Sequence, residues 1–247
     1  MEHTGKLSGN QLKLIAIIAM TIDHLTWAFF PGLDRTWYVL ALHVIGRLTA
    51  PIMWFFIAEG FHWTHDVKKY MLRLFLFAFV SHFAYDFAFG IPFLPLSTGF
   101  FNQTSVLWSL AISVALLAAD RYLKLPNWAF ILCVVFACLI AFPSDWSSIA
   151  VMAPFFLYKY RSNFRMQAIM IVAWTAVYAL VYILFLDPVY GILQMATCLS
   201  IPLLSLYNGQ RGSFKGMKWL FYWYYPAHLV LVGILRLVLN GNIPIIF

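Results

Sequence analysis

Charged side chains are scarce in this chain. Asp, Glu, Lys and Arg make up 10% of 247 residues, whereas 63% are hydrophobic and the mean hydropathy is +0.83. Soluble domains carry roughly a quarter charged residues, so a soluble globular protein is excluded and an integral membrane protein is implied. Acidic residues are the scarcest, nine against sixteen basic ones, giving a net charge of +7. Cysteine is scarce as well. Cys133, Cys138 and Cys198 are odd in number, lie in apolar runs and show neither CxxC spacing nor a neighbouring His cluster, so they read as small buried hydrophobes rather than disulfide or metal residues. A polar block large enough for a separate domain is also missing, and the first apolar run lacks a small-residue cleavage site and is followed by further runs. The expectation is one integral-membrane domain over 1–247 with no removed signal.

What is abundant is apolar sequence in lengths that suit a bilayer. A span takes about 20 residues, and the runs fall near 12–30, 38–61, 70–91, 104–119, 127–142, 146–158, 167–186, 189–206 and 218–239. The fold class is therefore all-α, a polytopic helix bundle of about nine transmembrane helices with a short sixth. Lys6 and Lys13, then Lys68, Lys69 and Arg73, Arg121 and Lys124, Lys159, Arg161 and Arg165, and finally Arg211, Lys215 and Lys218 make every second connection basic. The remaining connections hold Asp34 with Arg35, Asp145 and Asp187, and no lysine. The positive-inside rule then places the N-terminus in the cytoplasm of a multi-pass cell-membrane protein, with lipid as its surroundings. The net positive charge is thus a topology signal first. It gives no reason to expect nucleic acid, although the inner basic loops also suit an anionic ligand.

Ionisable groups inside spans are expensive, roughly 2.5 to 3.5 kcal/mol each at the centre, and mark function by default. Asp23 and His24 stand together in the first run; Arg47, Glu59, Asp86 and Arg236, with His43, His82 and His228, lie within or at the edges of others. His24, Arg47, His82, Asp86 and His228 fall in the middle or outer half of the membrane and are expected around one wet cavity. His43 with Arg47, and His82 with Asp86, are four apart and share a helix face. Adjacent Asp23 and His24 point about 100° apart, so Asp23 is expected to pair with Arg47 and leave His24 free to face substrate. The competing reading makes such pairs interhelical glue. A titratable imidazole is nevertheless the side chain best suited to take and return a proton near neutral pH.

Glu59, His62 and Asp66 follow at helical spacing where the second run closes, a face conceivable as a metal site but without metal-binding motif spacing; no metal is expected. Trp219, Tyr222, Trp223, Tyr224, Tyr225, Pro226 and His228 form an aromatic stretch entering the last run. Pro226 removes a helix hydrogen bond beside His228. That stretch reads equally as the mouth for a long amphipathic ligand or as an interfacial aromatic belt.

The chain resembles the TraX family of bacterial membrane proteins, part of a wider superfamily of transmembrane acyltransferases. The matching stretches are 12–24 (LKLIAIIAMTIDH), 45–61 (IGRLTAPIMWFFIAEGF), 68–79 (KKYMLRLFLFAF), 85–87 (YDF), 202–212 (PLLSLYNGQRG) and 218–228 (KWLFYWYYPAH). The resemblance implies acetyl transfer from acetyl-CoA, and Asp23, His24, Arg47, Glu59, Gly60, Asp86, Lys218, Tyr225 and His228 occupy characteristic places. The chain departs from the family pattern at His82, Ser105, Ser147 and Ala150, the last two standing where glycines are usual.

Residues and resemblance together give one expectation. Lys69, Arg73 and Lys218, with Glu59 and Tyr225, hold acetyl-CoA from the cytoplasmic side; His24 or His228 acts as general base; Arg47, held by Asp23, stabilises the oxyanion. His62, His82 and Asp86 are further candidates. The acceptor is an amine of a peptide or pilin N-terminus, the alternatives being O-acetylation of an envelope glycan or a proton-coupled transporter.

Overall fold

The computed structural model describes residues 5–97, 99–241 and 243–244, and among them no strand forms. Every apolar run of the sequence becomes helix, because a backbone in lipid must satisfy its own hydrogen bonds. Helix α1 covers Gly9–Phe29, α2 Trp37–Gly46, α3 Thr49–Trp63, α4 Val67–Phe89, α5 Val106–Tyr122, α6 Asn127–Ala141, α7 Ile149–Lys159, α8 Phe164–Phe185, α9 Pro188–Gln194, α10 Ser200–Ser205 and α11 Met217–Asn240.

Among the described residues, six segments are long and apolar enough to cross a membrane: α1, α2 with α3 (Trp37–Trp63), α4, α8, Pro188–Ser205 and α11. Helices α5, α6 and α7 have 17, 15 and 11 residues. At 1.5 Å per residue, α7 reaches only about half the hydrocarbon thickness. It packs instead against α3, α5 and α8 in the interior. The chain is a multi-pass helical membrane protein in which α5 and α7 fill the bundle interior, while α6 lies against its outside with most of its apolar side chains exposed.

The loops supply the caps. Ser8 and Gln11 form a reciprocal capping box on α1, and the side chains of Asp66, Asn163 and Asp187 accept from the first turns of α4, α8 and α9. Burial works against ionising Asp187, yet the Tyr190 N–H and the Arg35 guanidinium outweigh it and hold that carboxyl below the usual carboxylate range. Pro51 explains the break between α2 and α3: it has no N–H to offer the carbonyl of Arg47 four residues earlier, so the ladder stops there. The helix that carries His43 thus ends where Arg47 begins. Pro226 lies inside an α11 that continues on both sides of it.

Segment 5–11 is pinned to the loop after α10. Leu7 donates to Leu206 O and Asn208 to Leu7 O, while the Gly9 and Asn10 N–H groups bond to Gln210 O and Arg211 O at 2.8 and 2.9 Å. This fixes Arg211 beside the start of α1.

Candidate functional site

A cavity of about 740 Å³ runs through the bundle. One end is lined by Lys13, Arg73, Arg211 and Lys218, contributed by the starts of α1, α4 and α11 and by the pinned loop. The cavity then passes His24 and Arg47 and reaches Asn102, Tyr182 and Tyr190. Gly9, Lys13, Met20, His24 and Trp27 all face it from α1, the stripe that helical periodicity dictates. Lys13 and His24 are about 16 Å apart along that axis, from eleven residues at 1.5 Å each.

Two hydrogen-bonded groups meet at this depth. In the first, the Asp23 carboxylate accepts from Arg47 Nη2 at 2.8 and 2.7 Å and from His43 Nδ1 at 2.8 Å, while Arg47 Nη1 donates to Gln194 Oε1 at 3.0 Å. The charges satisfy each other, which is what burial demands. Arg47 Nε has no partner.

In the second, His24 Nδ1 and His228 Nε2 are 2.7 Å apart, and His228 Nδ1 lies 2.9 Å from Tyr224 O. A carbonyl only accepts, so His228 Nδ1 carries a proton. Its Nε2, in the neutral ring, is then an acceptor, and the shared proton belongs to His24 Nδ1. That leaves His24 Nε2 as a lone pair. His24 lines the cavity and His228 does not, so His228 stands behind His24 and fixes its tautomer.

A family model described as TraX protein matches residues 8–236. The chain belongs to the TraX family. It is similar to the "Probable fimbrial assembly protein FimC, serogroup H1" of Dichelobacter nodosus, 31% identical over 94% of this chain and 97% of that protein. No solved structure matches.

In this TraX member the residues singled out from sequence fall into distinct places. Asp23, His24 and Arg47 gather as expected around one cavity, with His228 directly behind. Glu59, Arg73, Lys218 and Tyr225 line the cavity. Glu59 does so already paired: Arg161 grips it through Nε at 2.6 Å and Nη2 at 3.1 Å, and Trp63 Nε1 donates at 3.1 Å.

Lys69 is displaced from the expected donor site. It sits in the first turn of α4, outside the cavity lining, with its ammonium 3.2 Å from Asp66. The Glu59, His62, Asp66 face does not form either. Helix α3 ends at Trp63, so the periodicity that would align Asp66 stops short; Asp66 instead caps α4, and the Lys69 N–H it accepts holds its carboxyl below the usual range. His62 is exposed, its ring against Trp63.

His82 and Asp86 meet each other at 3.2 Å but lie outside the cavity lining. Tyr85 and Phe89 are the α4 residues that face it at this level, and Asp86 is turned about 100° away from Tyr85. His82 is occupied by Thr104 Oγ1 at 3.0 Å and the Phe93 carbonyl at 2.9 Å.

Four contributors escaped the sequence reading as site residues. Lys13 and Arg211 looked like topology markers, and Asp145 like an outer-loop acid. Gln194 was one amide in an apolar run. The usable signal was in Lys13, a cation already past the first turn of a span, and in His43, whose four-residue spacing to Arg47 brings both onto Asp23.

Proposed function

We propose that this chain is a membrane-embedded acetyltransferase that takes the acetyl group from acetyl-CoA at the cytoplasmic face and passes it to an acceptor amine, with His24 Nε2 as general base. The observation that carries the reading is that one cavity joins a mouth of unpaired cations to an imidazole whose tautomer is locked, about 16 Å deeper on the same helix. Lys13, Arg73, Arg211 and Lys218 have no carboxylate within ion-pair distance among the described residues, and such cations suit the phosphates of CoA. The span between mouth and imidazole suits its long arm. By the positive-inside rule the same cations put that mouth, and with it the N-terminus, in the cytoplasm.

His24 Nε2 accepts the proton of the attacking nitrogen as the C–N bond forms and returns it to the sulfur as the C–S bond breaks. While His24 is an imidazolium, its Nδ1–H stays on His228. Arg47 lines the cavity with both Nη groups held by Asp23 and Gln194, which fixes its guanidinium charge in place to stabilise the tetrahedral oxyanion. A relative named as a probable fimbrial assembly protein supports an exported peptide as acceptor.

The test is thiol release by the purified full chain given acetyl-CoA and a short peptide with a free amino terminus. Release that depends on the peptide and falls by about 10²-fold or more in His24→Ala and Arg47→Ala supports the proposal. Uptake driven by a pH gradient without thiol release would make the chain a proton-coupled carrier. Acetylation of a glycan hydroxyl in place of the peptide would make it an envelope O-acetyltransferase. Undiminished function of both variants would leave a non-enzymatic assembly factor.

A further inference from the structure

The charges along the cavity do not balance, and the imbalance is arranged. Glu59 is matched by Arg161 and Asp23 by Arg47. Asp145 is the remaining carboxylate in the lining, and no Lys, Arg or His lies within 4.0 Å of it among the described residues. The cavity therefore carries surplus positive charge at the mouth and surplus negative charge beyond His24.

Asp145 is held there by design of the loop between α6 and α7. Its N–H donates to Thr104 O at 2.8 Å. The next two residues, Trp146 and Ser147, take φ of 60° and 47°, a left-handed backbone that side chains disfavour. Packing maintains it: Trp146 stacks on Tyr178 at 4.6 Å and meets Trp54 edge-on at 5.3 Å. Strain kept in place by surrounding structure is a mark of functional positions. Tyr85, Tyr182 and Tyr225, which also line the cavity, lie within electrostatic reach of the Asp145 carboxylate. A cavity carboxylate left without a cation, with neutral phenols around it, has the chemistry of an ammonium site.

We propose that Asp145 is the residue that selects the acceptor, binding it as a primary ammonium ion and so favouring an amine over a hydroxyl. This rests on the acetyl-transfer reading for its chemistry but not for its binding. The ammonium gives one proton to Asp145 and becomes an amine. Its lone pair then forms the C–N bond to the thioester carbonyl while a second proton passes to His24 Nε2. The C–S bond breaks, the sulfur leaves with the electron pair and takes the His24 proton as a free thiol, and Asp145 returns its proton to water when the amide departs.

The experiment measures equilibrium binding to the purified full chain by tryptophan fluorescence, without acetyl-CoA. The probes are a short peptide with a free amino terminus, the same peptide with a hydroxyl in place of the amine, and coenzyme A. The native chain is expected to prefer the amine at least tenfold, Asp145→Glu to keep that preference, and Asp145→Asn to lose it while binding coenzyme A as the native chain does. Equal affinity of the native chain for the two peptides, or a preference that survives in Asp145→Asn, would overturn the assignment whatever the variants do to folding. An amine preference without any thiol release would sustain the ammonium site and overturn the transferase; thiol release without the preference would do the reverse.

Discussion

Gly46 presses its bare Cα against Asp23 so closely that a methyl group there would overlap the carboxylate. The contact belongs to the helix crossing that lets Arg47, one residue on, reach Asp23 with Nη2. Gly46→Ala must push α1 and α2 apart, and overpacking of this kind costs about 1–3 kcal/mol. The expected outcome is a melting temperature lowered by several degrees in detergent, together with thiol release reduced as in Arg47→Ala. An unchanged melting temperature would mean that the two helices are not held at this distance.

His228 touches no cavity space, so its substitution separates tautomer control from substrate contact. In His228→Ala the Nδ1 proton of His24 loses its acceptor, and the ring is free to adopt the other tautomer, which buries the lone pair. We expect kcat to fall by about 10²-fold with KM for acetyl-CoA unchanged. His228→Gln, which keeps an acceptor oxygen in the side chain, should recover part of the loss. A change in KM instead of kcat would mean that His228 meets substrate directly.

Part of this site was legible in the sequence because burying charge in lipid leaves few arrangements. Asp23 and Arg47 had to find partners inside neighbouring apolar runs, and they pair with each other. The same reasoning did not find Arg161 on Glu59, since 102 residues separate them and a loop arginine already had a sufficient explanation in topology. Crossing number was legible only as apolar length, so α7, apolar but 11 residues long, read as a span when tertiary packing had made it an interior helix. His82 and Asp86 were read correctly as neighbours and wrongly as cavity groups. The helix spacing of a pair says that its members meet, not which way the helix is turned.

Lys69 and Arg73 provide a comparison within one helix. Both are cations near the start of α4, but Arg73 lines the cavity and Lys69 turns to Asp66 at 3.2 Å. Arg73→Ala should raise KM for acetyl-CoA about tenfold or more, the loss of a charged hydrogen bond being about 1.5–3 kcal/mol. Lys69→Ala should leave it unchanged, since an exposed pair of this kind contributes little. Equal effects would mean that the mouth extends beyond the described cavity.

Asp187 gives a pH dependence with a definite sign. Its native pKa lies below the ordinary value, so the native state holds the charged form more strongly than the unfolded chain does. The stabilisation is fully present above the unfolded pKa of about 3.9 and is withdrawn as the pH falls through the lower native value. Melting curves of the native chain and Asp187→Asn should therefore differ by a constant amount from pH 7 to pH 5 and converge below pH 4. Convergence on raising the pH would contradict the Arg35 and Tyr190 contacts as its cause.

Ser147 holds a φ of 47° although it carries a side chain. Left-handed backbone costs a residue with a Cβ roughly 1–2 kcal/mol, a cost that glycine escapes. Ser147 uses its backbone here: its N–H donates to Ser144 O at 2.8 Å and its carbonyl accepts from Ser109 Oγ at 2.9 Å. Ser147→Gly keeps both bonds and removes the strain, at the expense of a more flexible unfolded chain, which takes back about 0.4–1 kcal/mol. The net expectation is a melting temperature equal to or modestly above the native one, with amine preference intact because Thr104 and Trp146 still place Asp145. Ser147→Val should do the opposite, since a β-branched side chain is the least tolerant of this conformation. Loss of both stability and amine preference in Ser147→Val, against retention of both in Ser147→Gly, would tie the strained turn to the aim of Asp145.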